Sequence, residues 1–225
     1  MNPGVRRRLA AAACALALGG CPSLLRPPRV GPEAPRVADR DAEKRYQQIL
    51  DRWTRRAEIY DGLDSRAFLA ATFQSFAFLQ ARVERVAALR SLPLAEAEAM
   101  LSAERKAHQE SLEVVLGLHA NDRRFDDLGR PGSIWTIALV GEAGEVQPTS
   151  VEKLPLDPNL KALYPYLDTF WAAYRLRFPR TFENGAQVLP EKAQSFALRL
   201  SSAVGKAELR WELAAPPAAG AVAWP

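Results

Sequence analysis

SFALRLSSAVGKAELRWEL, residues 195–213, is the stretch that decides the fold class. Phe196, Leu198 and Leu200 alternate with polar or small residues, and Ser201 to Gly205 can turn. Ala207, Leu209, Trp211 and Leu213 then alternate with Lys206, Glu208, Arg210 and Glu212. Successive strand side chains point to opposite faces, so this is a hairpin with one apolar and one wet face. Such strands belong to antiparallel sheets. Reading outward, Phe170, Ala172, Tyr174, Leu176 and Phe178 share one face of an earlier strand, with Arg175 and Arg177 on the other. Leu112, Val114, Leu116 and Leu118 alternate in the same way, as do Trp135, Ile137 and Leu139 before the Gly141–Gly144 turn. Residues 146–154 hold a weaker strand, interrupted by Pro148. Asp157-Pro158 opens one helical turn through Leu163, with Asp as cap and Pro in the first position. Five or six half-polar strands over residues 111–213 predict an antiparallel β-sandwich of immunoglobulin-like character.

Upstream, the period changes. Tyr46, Ile49, Leu50, Trp53, Ala57 and Tyr60 recur at three- and four-residue steps, predicting a helix over 39–61. Asp61-Gly62 interrupts it. Ser65 is the expected N-cap of a second helix over 65–90, with Phe68, Leu69, Phe73, Phe76, Leu79, Val83 and Val86 as its stripe. Pro93 opens a third helix up to about residue 109. Short links predict antiparallel neighbours. The fold class is therefore α+β: N-terminal antiparallel helices over 39–110 packed on a C-terminal β-sandwich over 111–213. Residues 214–225 are an Ala/Pro/Gly tail, expected to be disordered. Residues 22–38 contain five prolines and read as an extended tether that, at about 3.1 Å per residue, reaches on the order of 50 Å.

The N-terminus reads as an address. Arg6 to Arg8 precede the apolar run Leu9 to Leu18, which has roughly half the length a membrane-spanning helix needs. Leu18-Gly19-Gly20-Cys21 follows. This order resembles the lipobox of bacterial lipoproteins, over the leader and Cys21 alone. The resemblance implies that residues 1–20 are a signal peptide cleaved between Gly20 and Cys21. Cys21 would carry diacylglycerol on its sulfur, with each buried methylene contributing about 0.8 kcal/mol to membrane anchoring. An ordinary secretory signal cut elsewhere is the alternative, and RRRLA partly resembles a twin-arginine signal. Pro22 stands where Asp favours inner-membrane retention in enteric bacteria, which by analogy points to the outer membrane. Cys14 would leave with the leader, so no disulfide is expected, and about 205 residues bury a core without one.

The formal net charge is +4. The leader holds three basic residues and no acid, so the rest of the chain sets 27 basic residues against 26 acidic ones. That balance does not point to nucleic acid. His108 and His119 are eleven apart, match no zinc motif and read as solvated. H-E-x-x-H, G-x-S-x-G, G-x-G-x-x-G and the P-loop are all missing from the sequence. No catalytic residue, metal ligand or cofactor is predicted. A hydrolase needs only two carboxylates and stays as an alternative.

Two stretches stand out. In HANDRRFDDLGRPGS, residues 119–133, Asn121, Asp122, Asp126 and Asp127 offer oxygen ligands of the kind calcium takes. Their spacing is not that of an EF-hand, and Arg123 and Arg124 oppose a cation, so a solvated loop is expected. In YPYLDTFWAAYRLRFP, residues 164–179, strand alternation assigns Phe170, Tyr174 and Phe178 to the core. Trp171 falls on the face of Arg175 and Arg177, and these three form the candidate surface for a sugar or a protein partner. The expectation is a lipid-anchored, non-catalytic envelope protein that binds another envelope protein. A peptidoglycan or glycan binder is the alternative. Both rest on architectural analogy.

Overall fold

The computed structural model describes residues 40–213. The expectations for Gly20, Cys21, the tether and the 214–225 tail lie outside the described residues. The elements run α1 (Arg40–Trp53), β1 (Thr54–Asp61), β2 (Asp64–Phe73), α2 (Phe76–Arg90), α3 (Leu94–Glu110), β3 (Ser111–Ala120), β4 (Thr136–Gly141), β5 (Gly144–Val146), β6 (Ser150–Leu154), α4 (Pro158–Leu163), β7 (Ala172–Pro179), β8 (Ser195–Ser202) and β9 (Gly205–Glu212). The strands form two antiparallel sheets, ordered β1-β2-β3-β7-β6 and β5-β4-β8-β9. The chain is a sheet-rich mixture of four α-helices and nine strands among the described residues.

The C-terminal hairpin forms as its alternation dictates, with Leu198 opposite Leu209 and Ser202 opposite Gly205. Its apolar residues join one cluster with inward residues of the five-stranded sheet. Phe196, Leu198, Leu200, Leu209 and Trp211 there meet Leu69, Phe73, Val114, Leu116, Leu118, Tyr174, Leu176 and Phe178. Trp211 is fully buried, stacks on Phe196 at 5.0 Å and 9°, and donates its indole N–H to Trp53 O at 2.8 Å. β3 is buried on both faces, because Val115 belongs to a second cluster. That cluster joins Tyr46 and Leu50 of α1, Phe78 and Ala81 of α2, and Ala173, Tyr164 and Leu167. Arg85 of α2 fastens it. The guanidinium donates to Ala162 O at 3.0 Å, pairs with Glu43 and lies 4.3 Å from the Tyr46 ring centre.

The first two expected helices are corrected. Residues 54–73 are not helical but form the β1–β2 hairpin around Asp61-Gly62, with Gly62 at φ +62°. α1 stops where Thr54 turns its hydroxyl back to Leu50 O at 2.7 Å. α2 starts ten residues later than expected, at Ser75, whose Oγ accepts from Phe78 N at 3.2 Å. Leu69 to Phe73 are all buried, so this half of β2 shows no alternation to read. The 110/111 boundary between helical and β regions cuts a sheet, since β2 pairs with β3 from Ala67–Ala120 to Phe73–Val114. The third helix, β3, β4, β7, β8 and β9 lie close to their expected positions. α4 has the expected Asp157 cap, with Oδ1 accepting from Leu160 N at 2.7 Å.

Candidate functional site

Register places one set of loops together. Asp61 faces Asp64, Ala67 faces Ala120, Leu118 faces Ala172 and Leu154 faces Ala173. In the other sheet Thr136 faces Ser201 and Ser202 faces Gly205. Segments 62–63, 121–135, 155–171 and 203–204 therefore leave their strands at the same end. A cleft lined by Asp61, Arg66, Asn121 and Asp122 together with Ala203 and Val204 shows that the ends of both sheets meet here. Loops held on a rigid scaffold are where binding residues concentrate.

Three of the four large exposed apolar side chains among the described residues stand at this end: Tyr60 at 57%, Leu63 at 101% and Phe170 at 62%. Each has a local cause. Strand alternation puts Tyr60 on the face opposite buried Ile59, near the end of β1 where the ladder shifts register across from Arg66. Leu63 is the hairpin tip. Phe170 precedes β7 by two residues, and its N–H is taken by Asp168 Oδ1 at 2.9 Å. The expectation that Phe170 is core is thus corrected: the strand begins at Ala172, so its face does not reach Phe170.

The 121–135 loop is tied down from within. Asp122 Oδ1 accepts from Arg124 N at 3.0 Å, Asp126 Oδ1 from Ala120 N at 3.2 Å and Asp127 Oδ1 from Ser133 Oγ at 3.1 Å. Trp135 donates its indole N–H to Phe125 O at 2.8 Å, and Tyr174 donates its hydroxyl to Asp126 O at 2.7 Å. Burial pushes Tyr174 up to about 12, which keeps that hydroxyl a donor. The side-chain hydrogen bond from Arg124 holds Asp122 down at about 2, whereas burial raises Asp126 above the ordinary carboxylate value. Both Asp122 oxygens and one oxygen each of Asp126 and Asp127 accept hydrogen bonds within this segment, and among the described residues no three His, Cys, Asp or Glu side chains come together as metal ligands.

Between this loop and the start of β7 lies an open groove enclosing about 460 Å³. Arg123, Asp126 and Arg130 line it from the loop, Lys153 from the end of β6, and Phe170 and Trp171 from the segment before β7. Trp171 is half-buried. Its ring lies over Gly117, where an added Cβ would stand 2.8 Å from Cε3. Arg175 and Arg177, expected to share a surface with Trp171, form a ladder with Glu113 and Glu152 at 3.2–3.8 Å. His119 lies against this site, its Nδ1 donating to Phe170 O at 3.0 Å, while His108 sits half-buried beside Phe76. Burial, then the nearby Arg180, lowers the His108 pKa.

Helical spacing through Tyr60 and the break at Asp61-Gly62 single out neither Tyr60 nor Leu63 in the sequence. For Arg123 the available sequence signal is the cation-rich polar loop itself. No protein-family model matches the chain, and no curated protein matches it. Among solved structures, it is similar to a protein of unknown function from Burkholderia pseudomallei, at 15% identity and a TM-score of 0.41, over 77% of this chain and 84% of that one.

Proposed function

We propose that this chain is a lipid-anchored cell-envelope lipoprotein whose 40–213 region is a non-catalytic binding module. On this reading Cys21 carries the lipid, residues 22–38 form the tether, and the outer membrane is the address. The two sheets are read as a sandwich of immunoglobulin-like kind, supported by the single cluster their inward residues share. The helices are read as covering the outer face of the five-stranded sheet, supported by the cluster that joins α1 and α2 to Val115 and Ala173. The module docks another envelope protein through its loop end. One observation carries this: of the four large apolar side chains exposed among the described residues, Tyr60, Leu63 and Phe170 stand at that end, and Leu94 alone lies elsewhere. Exposed aromatic and aliphatic side chains in one patch mark contact surfaces.

The test has two parts. Acyl labelling of the full-length chain should be lost in Cys21→Ser, together with membrane retention; unchanged labelling rejects the anchor. Mild in-cell crosslinking of the tagged wild type should recover one dominant envelope protein that Leu63→Asp loses. Equal recovery from both rejects the loop end as the contact. A second reading, a glycan binder, is favoured by the exposed Phe170 ring at the mouth of a groove large enough for a sugar.

A further inference from the structure

We infer that the groove between the 121–135 loop and the start of β7 binds a carboxylate-bearing saccharide. This deepens the glycan reading and rests on it. The inference stands on an imbalance of charge. Arg66, Arg82, Arg85, Arg124, Arg175, Arg177, Arg199 and Arg210 are each paired with an acid. Other surface cations, Arg90 and Lys192 among them, also lack such a pair among the described residues; Arg123, Arg130 and Lys153 are set apart because all three are exposed and line one groove, Lys153 with its Nζ 5.8 Å from the Tyr174 ring centre. They face one carboxylate, Asp126, one of whose oxygens is already engaged by Ala120 N. Arginine forks and a lysine ammonium set around a cleft are a receptor for a carboxylate.

The rest of the site selects the scaffold that carries this carboxylate. Phe170 offers a flat exposed ring on the rim, and at about 460 Å³ the groove has the size of a small-ligand site. A ring face beside cations suits a pyranose bearing an acid. An anionic lipid plane fits less well, because outside the groove this end interleaves acids with bases: Asp61 beside Arg66, Asp122 beside Arg124.

The test uses the full-length chain in detergent and a matched pair of sugars. One is the N-acetylglucosamine–N-acetylmuramic acid disaccharide. The other is N,N′-diacetylchitobiose, which lacks the lactyl carboxylate. Tetraglutamate is the acidic probe without a ring. Calorimetry should give the acidic disaccharide at least about tenfold tighter binding than either comparator, the worth of one charge-assisted contact. Arg123→Gln with Lys153→Gln should remove that tenfold preference, and Phe170→Ala should weaken the disaccharide about fivefold. These side chains are exposed, and an unchanged thermal midpoint confirms that each variant is folded. Equal binding of chitobiose overturns the acidic specificity while leaving a glycan binder. Tetraglutamate binding as tightly as the disaccharide makes the site one for acidic peptide and overturns the inference. Failure of both sugars to bind at about 10 mM overturns the inference and the glycan reading together.

Discussion

Gly117→Ala adds one methyl group at the centre of β3, and the structure says where it would go. The new Cβ would lie 2.6 Å from Leu167 Cδ2 and 2.8 Å from Trp171 Cε3. Both distances are well inside van der Waals contact. Leu167 is 1% exposed, so its methyl cannot swing into open space, and Trp171 must lift away from the sheet. Overpacking of this kind costs about 1–3 kcal/mol. Losing glycine's freedom in the unfolded chain returns about 0.4–1 kcal/mol. The net expectation is a loss of about 1–2 kcal/mol, which for a domain of this size lowers Tm by about 2–8 °C. Urea unfolding of the wild type and variant measures it directly: the midpoint should fall while the slope m stays constant. In a Trp171→Ala background the same substitution should cost less, by about 0.5 kcal/mol or more, because one of its two clashes is gone. A Gly117→Ala protein as stable as the wild type would refute the reasoning, because it would mean that the 164–171 segment does not rest on β3 at this glycine.

Three further predictions concern the scaffold and its charges. Burial raises the Glu43 pKa, but the hydrogen bonds from Arg85 and Gln47 outweigh it and hold the carboxyl below its ordinary 4.5. A depressed folded pKa stabilises above the unfolded value and is lost as pH falls through the folded one. The stability gap between wild type and Glu43→Gln should therefore be full at neutral pH and close below about pH 4.5, in paired urea titrations. Trp211→Phe removes the indole N–H that Trp53 O accepts and part of the stack on Phe196, and it should cost about 1–3 kcal/mol by urea midpoint. The Asp122 carboxyl, held at about 2 chiefly by the Arg124 hydrogen bond, should titrate by NMR nearer 3.8 in Arg124→Ala.

The elements that were legible are those with one wet face. In β9, Ala207, Leu209 and Trp211 point to the core while Lys206, Glu208, Arg210 and Glu212 stay in water, so period two is written in polarity. Asp157-Pro158 was legible for a different reason, since a cap and a fixed φ act locally. The β1–β2 hairpin was not. β2 is buried on both faces from Leu69 to Phe73, which erases alternation, and Ala57 and Tyr60 happen to continue the spacing of α1. Gly62 was the physical cue: it holds the first position of the two-residue Gly62-Leu63 loop at φ +62°, where tight hairpin turns favour glycine. The groove was legible in part. Trp171 and the polar loop drew attention as sequence, but the meeting of Arg123, Arg130, Lys153 and Phe170 depends on strand register over more than forty residues of intervening chain, which local pattern does not encode.

The most direct test of the central claim, that the loop end is the binding face, is site-specific photocrosslinking in intact cells. The photoreactive residue would be placed at Leu63, at Phe170 and at Asn184, an exposed residue of the link from β7 to β8, at the opposite end of the sheets. One discrete envelope partner should be captured from positions 63 and 170 and none from 184. Capture of the same partner with equal yield from 184, or capture from 184 alone, would contradict it.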